Sequence, residues 1–344
     1  MKVCTRCVIP ETHETVEYDH KGVCNICRQS EQKQLVDWDK KWEELIELLD
    51  RYRNPSGYDC IIPFSGGKDS TFTLYHLVKV HSLKPLVVRF DHGFLRPTVL
   101  ENTDRTLKEL GCDFLSFRPN WKVVQRLMLE SLIRKGDFCW HCHTGIFSYP
   151  MQVSLMLSIR LIIWGEKSSE YTSYYGLEEE EVDETRFNRF INLGITAEDM
   201  EGMVDVDPRD LDPFRYPPRA ELVKLGVRSI CLGSYIKWDT KKQVEIIKQE
   251  LGWKGDEVEG VPPQYDYEKI ECSMQGVRDY IRYIKRGYGR TAHLTSIDIR
   301  NDRLSRSYAL DLVGTYDAKR PKSLDEFLEY VGLSEDEFME IVKT

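Results

Sequence analysis

Apolar positions in this chain follow two alternating rhythms. Short apolar or β-branched runs at 60–64, 85–90, 113–117, 160–164 and 228–232 read as buried strands. Residues 71–80, 100–110 and 123–134 instead repeat their apolar positions with the helical period. Alternation of this kind predicts an α/β fold on a doubly wound parallel sheet, with ligands outside the carboxyl ends of the strands. Upstream, Trp38, Trp42, Leu45, Ile46 and Leu49 mark an amphipathic helix over 37–53, expected to dock the preceding segment onto the sheet domain. Residues 1–35 show no apolar period, so they need a staple. After Asp239 the pattern turns helical, at 241–251, 277–286 and 304–313, and Ser323 to Glu326 and Ser334 to Glu337 have the form of capping boxes. The expected division is 1–53, 54–240 and 241–344. A run of four acids, 178–181, reads as a solvated loop, with a substrate wall as the alternative.

Composition narrows this picture. A chain of 344 residues that is 41% hydrophobic can bury a core, as one large domain or two modest ones. No run of about 18 apolar residues occurs and Met1-Lys-Val-Cys4 opens no apolar h-region, so neither a membrane span nor a secretory signal is expected and the cytoplasm is. A net charge of −9 argues against a partner whose many phosphates must be neutralised, nucleic acid included. Ten cysteines in a reducing compartment point to metal or cluster ligation rather than disulfides.

The strand at 60–64 runs directly into Ser65-Gly66-Gly67-Lys68-Asp69-Ser70 and then a helix. Paired glycines let main-chain N–H groups close around phosphate oxygens, the helix N-terminus adds its positive dipole end, and Lys68 adds a compact cation. A Walker A loop keeps four residues between its first glycine and its Gly-Lys pair, which this loop does not. Ser-Gly-Gly-Lys-Asp-Ser instead resembles the PP-loop of the ATP pyrophosphatase family, whose members cleave ATP to AMP and pyrophosphate while adenylating a substrate oxygen. Asp69 is a candidate for Mg2+ or for capping the helix. Asp91, after the strand at 85–90, is a candidate for ribose or ammonium entry or for a turn cap. Glu166, after the strand at 160–164, is a candidate metal ligand or proton acceptor.

Cys4-x-x-Cys7 and Cys24-x-x-Cys27, with sixteen residues between the pairs, have the spacing of a four-thiolate zinc site. His13 and His20 lie between the pairs but are not needed to complete it. A second group is Cys139-Trp-His-Cys142, opening a helical run, and Cys231, ending a strand before a Gly-Ser turn. A PP-loop followed by Cys-x-x-Cys and then a lone cysteine is similar to the tRNA thiolation enzymes, which hold a 4Fe-4S cluster by three cysteines and leave one iron open. That resemblance implies ligation by Cys139, Cys142 and Cys231, with an iron–sulfur cluster or zinc as the metal. Cys60, Cys112 and Cys272 are expected to be isolated core thiols.

A further resemblance spans nearly the whole chain. It rests on Met1-Lys-Val-Cys-Thr-Arg-Cys-Val-Ile-Pro10, Gly22-Val-Cys-Asn-Ile-Cys27, Tyr58 through Ser70, Asp91-His-Gly-Phe94, Trp164-Gly-Glu166, Leu232-Gly-Ser-Tyr235 and Asp279 through Tyr288. In that order these motifs resemble the N-acetyl sugar amidotransferases of lipopolysaccharide O-antigen and nonulosonic acid biosynthesis. The resemblance implies conversion of an acetamido group on a nucleotide-linked sugar to an acetamidino group. ATP, Mg2+ and Zn2+ are the expected cofactors, and Ser65, Gly66, Gly67, Lys68, Asp69, Ser70 and Asp91 the ATP site. Arg278, Arg282 and Lys285 fall on one helical face that could bind a diphosphate, although a solvated basic face is the stronger reading. No glutaminase nucleophile motif is recognisable, so a separate glutaminase and cyclase-like protein pair is expected to deliver ammonia. A homodimer is compatible with the sequence. The competing expectation is an iron–sulfur sulfurtransferase acting on tRNA.

Overall fold

The computed structural model describes residues 1–165 and 194–343; Glu166 and the acidic run 178–181 lie outside the described residues. Five parallel strands form the sheet: β1 (Cys60–Pro63), β2 (Pro85–Phe90), β3 (Asp113–Phe117), β4 (Leu161–Trp164) and β5 (Arg228–Cys231), in the order β3-β2-β1-β4-β5. Each element expected from periodicity up to β5 is present, with ends shifted by a few residues. The strand order reverses between β1 and β4, and the Ser65–Ser70 loop leaves β1 at that point. A crevice opens where crossovers diverge to opposite sides of the sheet, and this is the usual ligand position in such folds.

The sheet is covered on both faces, as parallel sheets require. Cys60 and Ile62 of β1 point into one core with Val87, Ile163 and Ile230, against Leu45, Leu48 and Leu49 of α2 (Trp38–Tyr52), Phe72 and Leu74 of α3 (Lys68–Tyr75) and Ile247 further on. Ile61 points the other way, with Leu86, Val88 and Ile162, against Met151 and Val153. The expected helix over 71–80 is α-helical only to Tyr75, continuing as a π-turn from His76 to Val80. The remaining helices in order are α4 (Pro97–Leu110), α5 (Trp121–Lys135), α6 (Trp140–Leu157), α7 (Ala197–Glu201), α8 (Arg219–Leu225), α9 (Thr240–Leu251), α10 (Gln275–Arg286), α11 (Arg290–Arg300), α12 (Arg306–Tyr316), α13 (Ser323–Val331) and α14 (Glu335–Lys343), with α1 (Asn25–Gln32) near the start.

Two features differ from expectation. The α2 helix is part of the sheet core, while residues 1–35 dock elsewhere: Arg306 donates to the carbonyls of Cys4 (2.9 Å) and Cys7 (3.0 Å), Val8 N–H donates to Ser296, and the His13 ring stacks near Tyr288 and His293. The box at Ser334 forms, the Glu337 carboxylate taking the Ser334 N–H at 2.8 Å while the Ser334 hydroxyl takes that of Glu337. The one at Ser323 does not, because Glu259 captures both the hydroxyl and the N–H of Ser323. The C-terminal helices build a separate apolar cluster in which Val277 and Ile281 of α10, Phe327 of α13 and Phe338 of α14 meet Met128 and Leu132 of α5. Among the described residues no helix is long and apolar enough to cross a membrane.

Candidate active site

The loop after β1 is tied by its own side chains. The Ser70 hydroxyl accepts the N–H groups of Ser65 and Gly66, each at 3.2 Å, and donates to the Gly67 carbonyl, while the Ser65 hydroxyl accepts the Gly67 N–H. Gly66 stands at φ +84°, a left-handed conformation, and a Cβ there would lie 2.8 Å from both Thr103 and Val99. Its carbonyl is held by the Trp253 indole N–H at 3.2 Å. Arg89, reaching across from β2, donates to the Phe64 carbonyl and to Thr103; burial pulls its pKa down to about 10. Gly67 then caps α3, whose first turn presents the start of the helix to the crevice.

Lys68 is 3% exposed, and its ammonium lies between the Asp69 carboxylate at 2.8 Å and the Glu268 carboxylate at 3.0 Å. Glu268 is fully buried and also faces Arg290 at 3.4 Å. Burial alone would raise its pKa, but Lys68 and then Arg290 outweigh that and hold it below the usual range. The chain continues inward from there: Arg290 pairs with Asp279 at 3.0 Å, and Asp279 with Arg282 at 3.1 Å. Glu271, three residues after Glu268, lies against the loop itself, so that a Cβ on Gly67 would be 2.6 Å from its Oε2. The phosphate loop is therefore lined by acids from a segment some two hundred residues away. Sequence periodicity gave no signal for Glu268, Glu271 or Trp253.

The other expected site residues are distributed as follows. Asp69 keeps one oxygen, Oδ1, buried without a hydrogen-bond partner at the first turn of α3, a position suited to Mg2+. Asp91 forms the turn cap, Oδ1 accepting the Gly93 N–H at 2.9 Å and Oδ2 the Arg118 Nε at 2.7 Å. Arg278, Arg282 and Lys285 do not form an open diphosphate face. Arg278 is bonded to Asp137 and Arg282 to Asp279, and Lys285 lies over Gly136 at the carbonyl end of α5, where a helix attracts cations.

The four N-terminal cysteines meet as expected. Their sulfurs all lie within 4.8 Å of one another in a fully buried group, with Cys7 and Cys24 at 3.8 Å. Thiolates at about 2.3 Å around one tetrahedral ion stand about 3.8 Å apart, so the quartet fits Zn2+. Main-chain N–H groups of Arg6, Cys7 and Cys24 point at the Cys4 sulfur and would stabilise a thiolate. The sulfurs of the second expected set do not all close to within 4.8 Å of one another as those of the first do. Cys231 packs on the sheet face with the Ile61 cluster, whereas Cys139 lies in the C-terminal cluster beside Cys272, which is not the isolated thiol anticipated from its lone position.

Residues 259–344 match the family model described as LPS biosynthesis protein WbpG-like, C-terminal domain. That is the segment carrying Glu268, Glu271 and Cys272. An uncharacterised protein of Methanocaldococcus jannaschii is 28% identical over 167 residues, 48% of this chain and 58% of its own length. The U34-tRNA thiolase NcsA from Methanococcus maripaludis, solved with its 4Fe-4S cluster, aligns over 97% of this chain and 90% of its own with 14% identity and a TM-score of 0.39.

Proposed function

We propose that this protein is an ATP-dependent, AMP-forming amidotransferase that converts the acetamido group of a nucleotide-linked sugar to an acetamidino group. The observation that carries this reading is the union of the Ser65–Ser70 loop with acids supplied by the WbpG-like segment: Lys68 is held by Glu268, and Glu271 abuts Gly67. The loop supports ATP chemistry, and the match of the segment supports a substrate from lipopolysaccharide synthesis.

The reaction is balanced in two steps. The amide oxygen of the acetamido group attacks the α-phosphorus of ATP, pyrophosphate leaves and the amide nitrogen gives up its proton, giving an O-adenylyl imidate. Ammonia then adds to the imidate carbon, loses a proton and expels AMP. An amide oxygen is a poor leaving group and AMP a good one, which is why the first step is needed. Main-chain N–H groups of the loop hold the pyrophosphate end, and Lys68 offsets charge developing there. Mg2+ at Asp69 Oδ1 would supply further neutralisation of the phosphates. Glu271 and Glu166 are the acids we assign to the ammonia side, and a separate glutaminase supplies the ammonia.

The test is incubation of the purified protein with ATP, Mg2+, ammonium and a panel of UDP-linked N-acetyl sugars carrying oxygen-18 in the acetamido carbonyl. The label should appear in AMP, and a Lys68→Met variant should lose at least two orders of magnitude in rate. Adenylation that requires tRNA and a sulfur donor, and ignores ammonium, would replace this reading with the sulfurtransferase one.

A further inference from the structure

Arg89 lies on β2 behind the phosphate loop and is buried there. Among the described residues the one carboxylate whose charge reaches it is Asp91, just past the end of the strand, and that carboxylate is bound by the Gly93 N–H and by Arg118 instead. The other buried cations beside the loop are neutralised: Lys68 has Asp69 and Glu268, and Arg290 has Glu268 and Asp279. Arg89 has only aromatic faces, its guanidinium standing 5.5 Å from the ring of Phe64 and 5.1 Å from that of Phe114. A buried charge without a paired anion destabilises a fold, so its retention at this place calls for a reason.

The reason lies in the peptide units it touches. Arg89 Nε donates to the Phe64 carbonyl at 3.3 Å, and Nη2 stands 3.5 Å from the Ser65 carbonyl while also donating to the Thr103 hydroxyl. In a trans peptide the N–H points away from the carbonyl, so these contacts turn the N–H groups of Ser65 and Gly66 to the far side of the loop. There both meet the Ser70 hydroxyl at 3.2 Å, and the Gly67 N–H meets the Ser65 hydroxyl at the same distance. Such long bonds to neutral hydroxyls yield readily to phosphate oxygens. The next carbonyl, that of Gly66, is braced by the neutral Trp253 indole. Bracing a carbonyl therefore needs no charge. A cation at the oxygen end of two peptide units adds something that an indole does not: it polarises them, and so strengthens the N–H ends toward an anion.

We infer that Arg89 is a positioning residue for the pyrophosphate end of the nucleotide, its charge left without a counter-ion until that anion seats on the N–H groups of Ser65, Gly66 and Gly67. Arg89 acts through the carbonyls of Phe64 and Ser65 rather than by touching the phosphates, and it takes this role on the reading of the loop as an ATP site. Its charge then works with that of Lys68 from the opposite side of the main chain. Lys68 enters the site already paired with two acids, whereas Arg89 brings a full positive charge.

The experiment is calorimetric titration of the full chain with Mg-pyrophosphate in the wild type, Arg89→Gln and Arg89→Lys. Glutamine keeps a neutral donor for the carbonyls and lysine keeps the charge. Arg89→Gln should bind pyrophosphate at least tenfold more weakly than the wild type, and Arg89→Lys less than tenfold more weakly. A smaller loss in Arg89→Gln, or a tenfold loss in Arg89→Lys as well, would overturn the role of the charge while leaving the ATP site intact. A wild type that binds no pyrophosphate would instead remove the ATP site, and this role with it. Should Arg89→Gln fail to fold, the wild type labelled with nitrogen-15 arginine decides, its Arg89 Nε resonance being the one absent from the spectrum of Arg89→Lys. That resonance should shift on addition of Mg-pyrophosphate, and a resonance that stays in place at saturation would overturn the inference.

Discussion

Gly66 and Gly67 adjoin in the phosphate loop but are glycine for different reasons. Gly66 needs its positive φ, so Gly66→Ala should destabilise the fold by at least about 1–2 kcal/mol, read as a lower urea midpoint. Gly67 stands at φ −75°, which any residue adopts, and a methyl there meets only the end of the Glu271 side chain. Gly67→Ala should therefore leave stability within about 0.5 kcal/mol and lower AMP formation at least tenfold. The loop was legible because its residue types are local and the chemistry demands their order. Its acidic partners were not, because Glu268 and Glu271 reach it only through tertiary packing. Cysteines divide in the same way. The paired spacing of Cys4, Cys7, Cys24 and Cys27 announced their site, whereas a lone cysteine carries no spacing, and Cys231 enters the second set only from its strand end and its place in the motif order.

At the scale of elements, strands and helices of the sheet domain followed from apolar period, since each buries a face whose repeat is written in the chain. What each helix packs against was less readable. Helix α2 is expected to dock the cysteine module onto the sheet domain, and an amphipathic stripe does not say which neighbour will cover it. The module is held instead by α11 and α12, above all through the two carbonyls bonded by Arg306. Arg306→Ala should speed proteolytic cleavage within residues 1–35 several-fold. A metal chelator should do the same more strongly, because a segment without its own core folds on the metal its four cysteines fit. Fragment analysis by mass spectrometry reads both effects.

The whole molecule carries buried charge and buried imidazole in quantity. His76 and His92 have their pKa values lowered to about 4 by burial, against 6.5 when exposed. Unfolded chains take up these protons first, so stability is complete above pH 6.5 and falls as pH drops toward 4, by about 1.4 kcal/mol per unit for each histidine. Urea midpoints across that range should show the decline, and His76→Gln should reduce its slope. Glu268→Gln should cost about 3–5 kcal/mol, because Lys68 and Arg290 lose a shared anion, and Mg-ATP should raise the melting temperature of this variant more than that of the wild type. The same pair has a consequence in time. At about 5–20 residues per second, a ribosome making this chain delivers Glu268 tens of seconds after Lys68. Throughout that interval the nascent chain holds an ammonium without its buried counter-ion, so this loop cannot take its final form before most of the polypeptide has been synthesised.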